Sequence, residues 1–364
     1  MKLLITTGIF PPDIGGPATF TPLLARDALV QNSEVTVVTL GNKSSRFQEG
    51  PYRVITISRT LPKVLRVLKT LQTIFFESKE SDAIFSNGLY IETALVLRIR
   101  NRKSLAKIVG DPVWEKARNQ NRTTLDLASF QTAEWSTRDK LTNFIFTQAW
   151  GMFENLTCPS QALVQMVKGR LRGKEVGFIP NGVDLVSNLE AKKTLSLITV
   201  SRLVSWKNIQ QVIDAAQLLD AQLVIIGDGP EKRFLESHAR ALNAKVLFMG
   251  SLHPVAVEKN LRESKYFLQM SDYEGMSFSL LEAMSLGLVP IVSGNEGNRG
   301  VVEHDVNGVI CEINGSSIAQ AIQAIELNEH RYKSLSQEAI STVRTKFNGK
   351  ANRQKMLDLL EINA

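Results

Sequence analysis

A chain of 364 residues, 43% of them apolar, is too long for one ordinary hydrophobic core and suits two domains. No run approaches the ~20 apolar residues that a membrane-spanning helix needs, which argues against an integral membrane protein. The formal net charge of +7 lies in the first half, because residues 1–184 hold 24 Lys and Arg against 16 Asp and Glu. This charge indicates an anionic membrane surface, a phosphorylated acceptor or nucleic acid, unless it is only a solvated surface.

The chain starts with an apolar run that predicts a strand over residues 2–7. Pro11, Pro12 and Asp13 end this run without a small-residue cleavage site, so we interpret it as a buried strand and expect a cytoplasmic protein. A loop with Gly15 and Gly16 follows, in which the backbone can approach a ligand closely and offer N–H donors. The next elements alternate as βαβ: a helix over about 19–29, and strands at 35–40 and 52–57.

Residues 59–76 predict a basic amphipathic helix. Its apolar residues follow helical spacing, which places them on one side of the helix: Leu61, Val64, Leu65, Leu68, Leu71 and Phe75. Basic residues take the other positions: Arg59, Lys63, Arg66 and Lys69. Such a helix can lie on an anionic membrane, or it can pack on its own sheet with a solvated basic face. A second basic cluster over 98–107, after a strand at 83–86, favours the membrane. Both interpretations stay open at this point.

Asp111 follows a predicted strand over 106–110. Open α/β sheets place their ligand crevice at the carboxyl ends of strands, so Asp111 or the nearby Glu115 is a candidate base or hydroxyl anchor. An Asp before a Pro is also a common turn-former, and this alternative stays open. Further on, a helix over 142–153, a strand over 156–159 and a helix starting at Ser160 lead to the NGVD segment at 181–184, where we place a domain boundary.

The second half restarts the βα alternation with a strand over 195–200. Arg202 and Lys207 follow it in a loop before a helix, and two such cations suit a diphosphate. Further strands at 223–227, 246–250 and 266–270 lead to the stretch SDYEGMSFSLLEAMSLGLVP. Helices are expected over 316–327, 331–343 and 350–360.

That stretch carries two carboxylates beside a predicted helix start. Ser277 is a plausible N-cap, which places Glu274 in the loop before the helix and Glu282 inside it. Unpaired N–H groups at such a start attract anions. A ligand with both hydroxyl and phosphate groups suits this arrangement. The helix is expected to stop at Gly287, before a buried strand.

The ordered set NGVD, SRLVSWKN, VIIGDGPEKRFL, VLFMGSL, the stretch above and GVVEHDVNGVI resembles the retaining glycosyltransferase family 4. It covers residues 181–312 densely, and the first half only through its glycine loop and sheet pattern. The resemblance implies the α/β GT-B fold, with two Rossmann-like domains facing a central cleft. It implies an acceptor-binding domain over 1–183, a donor-binding domain over 184–345, and a terminal helix over 346–364 that crosses back to the first domain.

The resemblance also implies roles for single residues. Arg202 and Lys207 would bind the donor diphosphate, Glu282 the ribose and Glu274 the sugar. The loop of Gly275, Met276 and Ser277 would lie near sugar and phosphate. Gly250 and Leu252 would approach the base, and Gly15 and Gly16 would close over the phosphate.

The sequence departs from the family at one position. Members often carry a histidine where this chain has Gly110 and Asp111, which leaves the catalytic assignment of Asp111 uncertain. No metal or resident cofactor is expected, and Cys158 and Cys311 form neither a disulfide framework nor a ligand cluster. The expected partners are a UDP- or GDP-sugar, a glycan or lipid-linked acceptor and an anionic membrane surface, without nucleic acid. An epimerase of the same fold and a non-catalytic donor-binding subunit are the alternatives.

Overall fold

The computed structural model describes residues 1–185 and 195–362, and the chain forms two compact units. Unit 1 comprises Met1–Pro180 and Lys350–Ala364, and unit 2 comprises Asn181–Gly349. The predicted boundaries at 183/184 and 345/346 therefore differ by a few residues from the observed ones. The reason is a pairing inside unit 2, where the Val183 N–H donates to the Phe347 carbonyl and the Gly349 N–H donates to the Val183 carbonyl.

Unit 1 is built on an eight-stranded sheet in the order β3-β4-β2-β1-β5-β6-β7-β8. All neighbouring strands are parallel except the antiparallel pair of β3 with β4. Its strands are β1 Lys2–Thr7, β2 Glu34–Gly41, β3 Ser45–Glu49, β4 Tyr52–Ser58, β5 Ala83–Asn87, β6 Lys103–Lys107, β7 Asn155–Cys158 and β8 Gly177–Phe178. Its helices are α1 Gly16–Val30, α2 Lys63–Glu77, α3 Tyr90–Leu97, α4 Pro112–Asn119, α5 Leu127–Thr132, α6 Thr137–Gly151, α7 Gln161–Arg170 and, after the chain returns from unit 2, α15 Gly349–Asp358.

Unit 2 is built on a six-stranded, all-parallel sheet in the order β11-β10-β9-β12-β13-β14. Its strands are β9 Ser196–Val200, β10 Gln222–Ile226, β11 Val246–Gly250, β12 Tyr266–Gln269, β13 Val289–Ser293 and β14 Val309–Cys311. Its helices are α8 Ile209–Leu218, α9 Lys232–Ala241, α10 Pro254–Glu263, α11 Phe278–Ser285, α12 Glu296–Arg299, α13 Gly315–Glu326 and α14 Glu329–Lys346. Apolar clusters contributed by Leu197 and Ile198, which are neighbours in β9, extend on both sides of this sheet.

Three sequence predictions in unit 1 need correction. The antiparallel edge strand β3 was not predicted, because its sequence SRFQE lacks a β-branched or apolar run. Helix α1 begins at Gly16 rather than near residue 19, and β6 occupies 103–107 rather than 106–110. The strand was misplaced because the two lysines of KSLAK are unusual in a buried strand. Lys107 is nevertheless fully buried, with its Nζ 3.4 Å from the centre of the Phe20 ring. Burial holds the pKa of Lys107 well below its ordinary value.

Both units are parallel α/β structures, so the predicted fold class is confirmed. No helix among the described residues combines the length and the apolar character required to cross a bilayer.

Candidate active site

The predicted site residues of unit 2 lie at the switch point of its sheet. The chain runs from β9 outward to β10 and β11, and then returns to the other side of β9 as β12. Loops after β9 and β12 therefore diverge from neighbouring strand ends, which creates a crevice at the carboxyl edge of the sheet. Lys207 follows β9 and Glu274 follows β12, so topology brings these two residues together from positions 67 apart in the chain.

Lys207 and Glu274 form an ion pair between Nζ and Oε1. Their side chains are only 16% and 12% exposed. The Ser271 hydroxyl donates to the same Oε1 across 2.6 Å, which fixes the direction of the carboxylate. The pair thus presents one cation and one anion at a defined position on the crevice, as binding of a polar ligand requires.

The two loops that carry this pair are joined by further hydrogen bonds. Asn208 adopts a left-handed conformation and donates its side-chain amide to the Met270 carbonyl at 2.9 Å and to Asp272 Oδ1 at 2.7 Å. The Asp272 N–H donates to the Trp206 carbonyl at 2.8 Å. Lys207 is consequently held by residues on both sides of it in the chain, and its charge is preorganised without a ligand.

Arg202 is exposed and lies at the start of the loop after β9, with its guanidinium carbon 5.6 Å from the centre of the Trp206 ring. The path of the loop after β9 depends on the GDGP turn after β10. A Cβ on Gly227 would lie 1.8 Å from the Ser201 carbonyl oxygen, and one on Gly229 would lie 2.2 Å from that of Leu203. Only glycine permits this approach, so the turn sets the path of the chain around Arg202.

Helix α11 begins as predicted. The Ser277 hydroxyl accepts the Leu280 N–H at 3.2 Å, which confirms Ser277 as N-cap, and the helix ends before Gly287, whose φ is +74°. The preceding residues Gly275 and Met276 form the turn between Glu274 and this cap. The start of α11 therefore faces the crevice edge beside the ion pair, where its N–H groups favour an anion.

Glu282 lies on α11, half-buried, one helical turn beyond the cap. Burial, and secondly the negative charge of Glu258 on α10, raises the pKa of Glu282 to about 7. Within residues 1–185 and 195–362, no side chain hydrogen-bonds its carboxylate. This carboxylate is therefore available to hydroxyl donors, and its charge depends on pH near neutrality.

Gly250 is the last residue of β11, and Leu252 follows it at the same edge of the sheet. Gly250 has φ +64°, and its carbonyl accepts the Gly227 N–H at 2.8 Å. Leu252 packs, partly buried, on the apolar cluster under α11. Gly250 thus lies next to the GDGP turn, and Leu252 lies two residues beyond Gly250 in the chain.

In unit 1, Gly15 has φ +148° and precedes α1, whose first residue is Gly16. The loop before them is fastened by Arg59, whose guanidinium binds the Asp13 carboxylate and donates to the Gly8 carbonyl at 3.0 Å. Arg59 was expected on the cationic side of an amphipathic helix. It instead precedes α2 and supports the glycine loop, because its guanidinium has a carboxylate partner there.

Asp111 is fully buried and its oxygens are engaged. Oδ1 accepts the Val113 N–H at 2.9 Å and caps α4, while Arg170 binds both oxygens at 3.1 and 2.6 Å. Gln131 donates a further hydrogen bond to Oδ2 at 2.8 Å. This geometry belongs to the alternative that the sequence left open, a turn-forming aspartate, and gives no support to a catalytic base. The sequence did not indicate Arg170 as the partner, since 59 residues separate the two.

Several site residues were missed by sequence reasoning. Asn181 donates its side-chain amide to the Met276 carbonyl at 2.8 Å, and Gly297 touches Glu274 so closely that a Cβ would lie 2.0 Å from its carbonyl oxygen. Ser271 and Asn208 were missed as well. The NGVD segment could have suggested Asn181, but the other contacts depend on tertiary structure that has no local signal. Among the described residues, no group of three His, Cys, Asp or Glu could hold a metal ion.

Comparison with known proteins finds a family match in the second half of the chain. A family model described as glycosyl transferases group 1 matches residues 184–342. N-acetyl-alpha-D-glucosaminyl L-malate synthase of Bacillus anthracis is 32% identical over 159 residues, which are 42% of this chain and 41% of that protein. UDP-Gal:alpha-D-GlcNAc-diphosphoundecaprenol alpha-1,3-galactosyltransferase of Escherichia coli is 30% identical over 38% of this chain and 42% of that protein. The chain thus spans about two fifths of the length of these curated relatives.

The fold similarity extends over both units. Anabaena HepE, solved in complex with UDP and glucose, superposes with a TM-score of 0.78 over 99% of each chain, at 16% identity. This likeness concerns the fold, and it agrees with the predicted GT-B class of two Rossmann-like units. Residues 184–342 thus match the family model of the group 1 glycosyltransferases, and the two curated relatives named above are similar to this chain over about two fifths of its length.

Proposed function

We propose that the chain transfers a hexose-type sugar from a UDP- or GDP-sugar to a glycan or lipid-linked acceptor in surface polysaccharide biosynthesis, with retention of anomeric configuration. The observation that carries this proposal is the Lys207–Glu274 pair at the switch point, fixed by Ser271 in front of the α11 start. A cation, a carboxylate and a helix N-terminus together suit a ligand that has both a diphosphate and sugar hydroxyls.

In this proposal Lys207 and Arg202 bind the diphosphate. The negative charge on the leaving diphosphate grows as the sugar–phosphate bond breaks, and preorganised cations stabilise it in the transition state. Lys207 would then bridge the phosphate and Glu274. Arg202, which is exposed, supplies a planar donor set for phosphate oxygens.

Glu274 contacts the donor sugar, where positive character develops at the anomeric carbon. Glu282 accepts hydrogen bonds from the ribose hydroxyls, and its lack of a hydrogen-bonding side-chain partner within the described ranges supports this role. Gly250 and Leu252 would contact the base, and the backbone beside Gly15 and Gly16 would offer N–H donors to a phosphate. No resident cofactor is part of the proposal, since the nucleotide sugar is a co-substrate.

The acceptor proton does not require a protein base. The acceptor oxygen forms a bond to the anomeric carbon, the bond from that carbon to the diphosphate oxygen breaks, and the proton of the acceptor hydroxyl passes to the departing diphosphate. The buried Asp111–Arg170 pair is consistent with this route, because a carboxylate that caps a helix and binds an arginine has no free site for a proton transfer.

Two relatives support the choice of donor and acceptor. HepE was solved with UDP and glucose, and the Escherichia coli relative is named for a UDP-galactose donor and a diphosphoundecaprenol acceptor. A lipid-linked acceptor would place this protein on the inner face of the cytoplasmic membrane.

A thermal-shift panel of UDP-, GDP- and ADP-sugars tests the donor. The true donor should raise the melting temperature in a concentration-dependent way, because it binds only the folded state. NMR of the product, formed with a lipid-linked or glycan acceptor, should then show the donor's anomeric configuration. Inverted product refutes retention, and epimerised donor in the absence of any acceptor would establish the epimerase alternative. If no nucleotide sugar binds, the proposal fails.

A further inference from the structure

The first half of helix α2 presents apolar side chains away from the sheet. Thr70, Thr73 and Ile74 are buried against unit 1, whereas Val64 is 70% exposed and Leu65 and Leu68 are more than half exposed. A surface helix normally turns its apolar stripe to the core. This helix does the reverse over its first half, so these three side chains do not serve the core.

The inward threonines make this orientation stable. The Thr70 hydroxyl donates to the Arg66 carbonyl and the Thr73 hydroxyl donates to the Lys69 carbonyl, each at 2.8 Å. Their burial therefore leaves no hydroxyl unpaired, which would otherwise be costly.

Two neighbouring helices extend the exposed apolar area. Helices α2, α3 and α6 pack side by side. Exposed apolar side chains lie on or just after α3, at Leu95 and Ile99, and on α6, at Leu141, Phe144 and Ile145. The exposed fraction is 73% for Ile99 and 60% for Phe144. A groove of about 420 Å³ lies between α2 and α3 and is lined mainly by apolar side chains. We call these outward residues of α2, α3 and α6 the three-helix apolar surface, and its extent marks it as an interaction site.

The charges on the same helices are cationic. Lys63, Lys69, Arg98, Arg138 and Lys140 are exposed.

The acidic side chains of these helices are engaged or half-buried instead. Glu77 pairs with Arg53, Asp139 pairs with Arg122, and Glu92 is half-buried. The exposed charges that α2, α3 and α6 place beside the three-helix apolar surface are therefore positive.

We infer that the three-helix apolar surface docks onto an anionic membrane. Exposed aliphatic and aromatic side chains can enter the boundary between headgroups and acyl chains, while lysines and arginines beside them bind anionic headgroups. The combination favours this partner over a second protein, because a protein partner would need an acidic rim around an apolar centre, whereas any anionic bilayer supplies both. The inference does not depend on the proposed transfer reaction.

Vesicle flotation of the full chain tests the inference. The wild type should float with vesicles of phosphatidylcholine and phosphatidylglycerol, and not with vesicles of phosphatidylcholine alone. The triple variant Val64→Ser, Leu65→Ser, Leu68→Ser should lower the bound-to-free ratio by about tenfold or more. The matched control is Val30→Ser, Val255→Ser, Leu327→Ser, which changes three exposed apolar side chains elsewhere and should float like the wild type.

A charge variant separates the two contributions. Lys63→Glu with Lys69→Glu should abolish flotation with anionic vesicles at low salt, and added salt should weaken the wild type. Equal flotation of wild type and the serine triple variant overturns the inference, as does equal flotation with neutral and anionic vesicles. Sedimentation without vesicles provides the remaining outcome: a wild-type dimer that the triple variant abolishes would assign the surface to a second copy of the chain.

Discussion

Asn181 and Met276 are joined by two contacts, although 95 residues separate them. The Asn181 side-chain amide donates to the Met276 carbonyl at 2.8 Å, and its backbone N–H approaches the Met276 sulfur at 3.2 Å. Asn181 is buried and is the first residue of unit 2. The segment at the unit boundary therefore fixes the turn between Glu274 and the start of α11.

Asn181→Ala should weaken donor binding through this turn. The Met276 carbonyl would lose its donor, which costs about 1–3 kcal/mol when the acceptor stays buried, and the Gly275–Ser277 turn would lose its fixed position. We expect a rise in the donor Kd measured by calorimetry, with a smaller loss in the melting temperature. Asn155→Ala, which removes an amide from unit 1, is the control. An unchanged donor Kd in Asn181→Ala would contradict the positioning role.

Lys207→Ala and Glu274→Ala should each lower kcat by about 10²-fold or more while the chain stays folded, because the proposed mechanism assigns one charge to the diphosphate and the other to the donor sugar. Transfer assays and circular dichroism of the purified variants measure both effects. Lys245→Ala breaks an exposed ion pair with Asp220 in the same unit and should leave kcat unchanged. Near-normal turnover in both site variants would show that the assignment is wrong.

Donor affinity should rise with pH across neutrality. Glu282 has a pKa of about 7, raised by burial and by Glu258, so it is largely protonated below that value and ionised above it. In the proposed binding mode the ionised carboxylate accepts hydrogen bonds from both ribose hydroxyls, whereas the protonated acid accepts fewer hydrogen bonds. Calorimetric titration with UDP between about pH 6 and about pH 8 should show tighter binding at the higher pH. Glu258→Gln should move the midpoint to lower pH, and Glu282→Gln should flatten the profile.

The raised pKa of Glu282 also affects folding stability, which should fall with rising pH where donor affinity rises. Between the ordinary glutamate pKa of 4.5 and about 7, the folded state binds more protons at Glu282 than the unfolded state does. This group therefore makes the free energy of unfolding fall as pH rises through that window. Denaturant titrations of wild type and Glu282→Gln should diverge there, with the variant relatively more stable at the upper end. Parallel curves would refute the raised pKa.

Arg170→Ala should destabilise the chain by about 3–5 kcal/mol, because it leaves the buried Asp111 carboxylate without its cation. Asp111→Asn keeps a cap acceptor for Val113 and removes the charge, so it should retain turnover per folded molecule. Urea titration and transfer assays on the same samples separate the two quantities. A large loss of kcat in well-folded Asp111→Asn would restore the catalytic interpretation.

The sequence predicted most strands and helices, because these depend on periodicity and caps. It also indicated Lys207 and Glu274, which the structure brings into contact, and their donor-binding role stays a prediction. Strand β1 has its predicted bounds, and Ser277 caps α11 as expected. What could not be predicted depends on tertiary contacts: the Ser271 hydrogen bond to Glu274, the close approach of Gly297, and the proximity of Glu258 to Glu282. Strand β6 was misplaced for a related reason. Burial of Lys107 depends on its contact with the Phe20 ring, which is distant in sequence.

The outward apolar side of α2 has a thermodynamic consequence. Fully burying a Val or Leu side chain is worth about 1.5–3 kcal/mol, and folding leaves most of this free energy unrealised at Val64, Leu65 and Leu68. These positions should therefore tolerate polar replacement with little change in the free energy of unfolding. This free energy becomes available only when a membrane or another apolar surface covers the three side chains. We therefore expect their replacement by serine to weaken docking without lowering the folding stability of the chain.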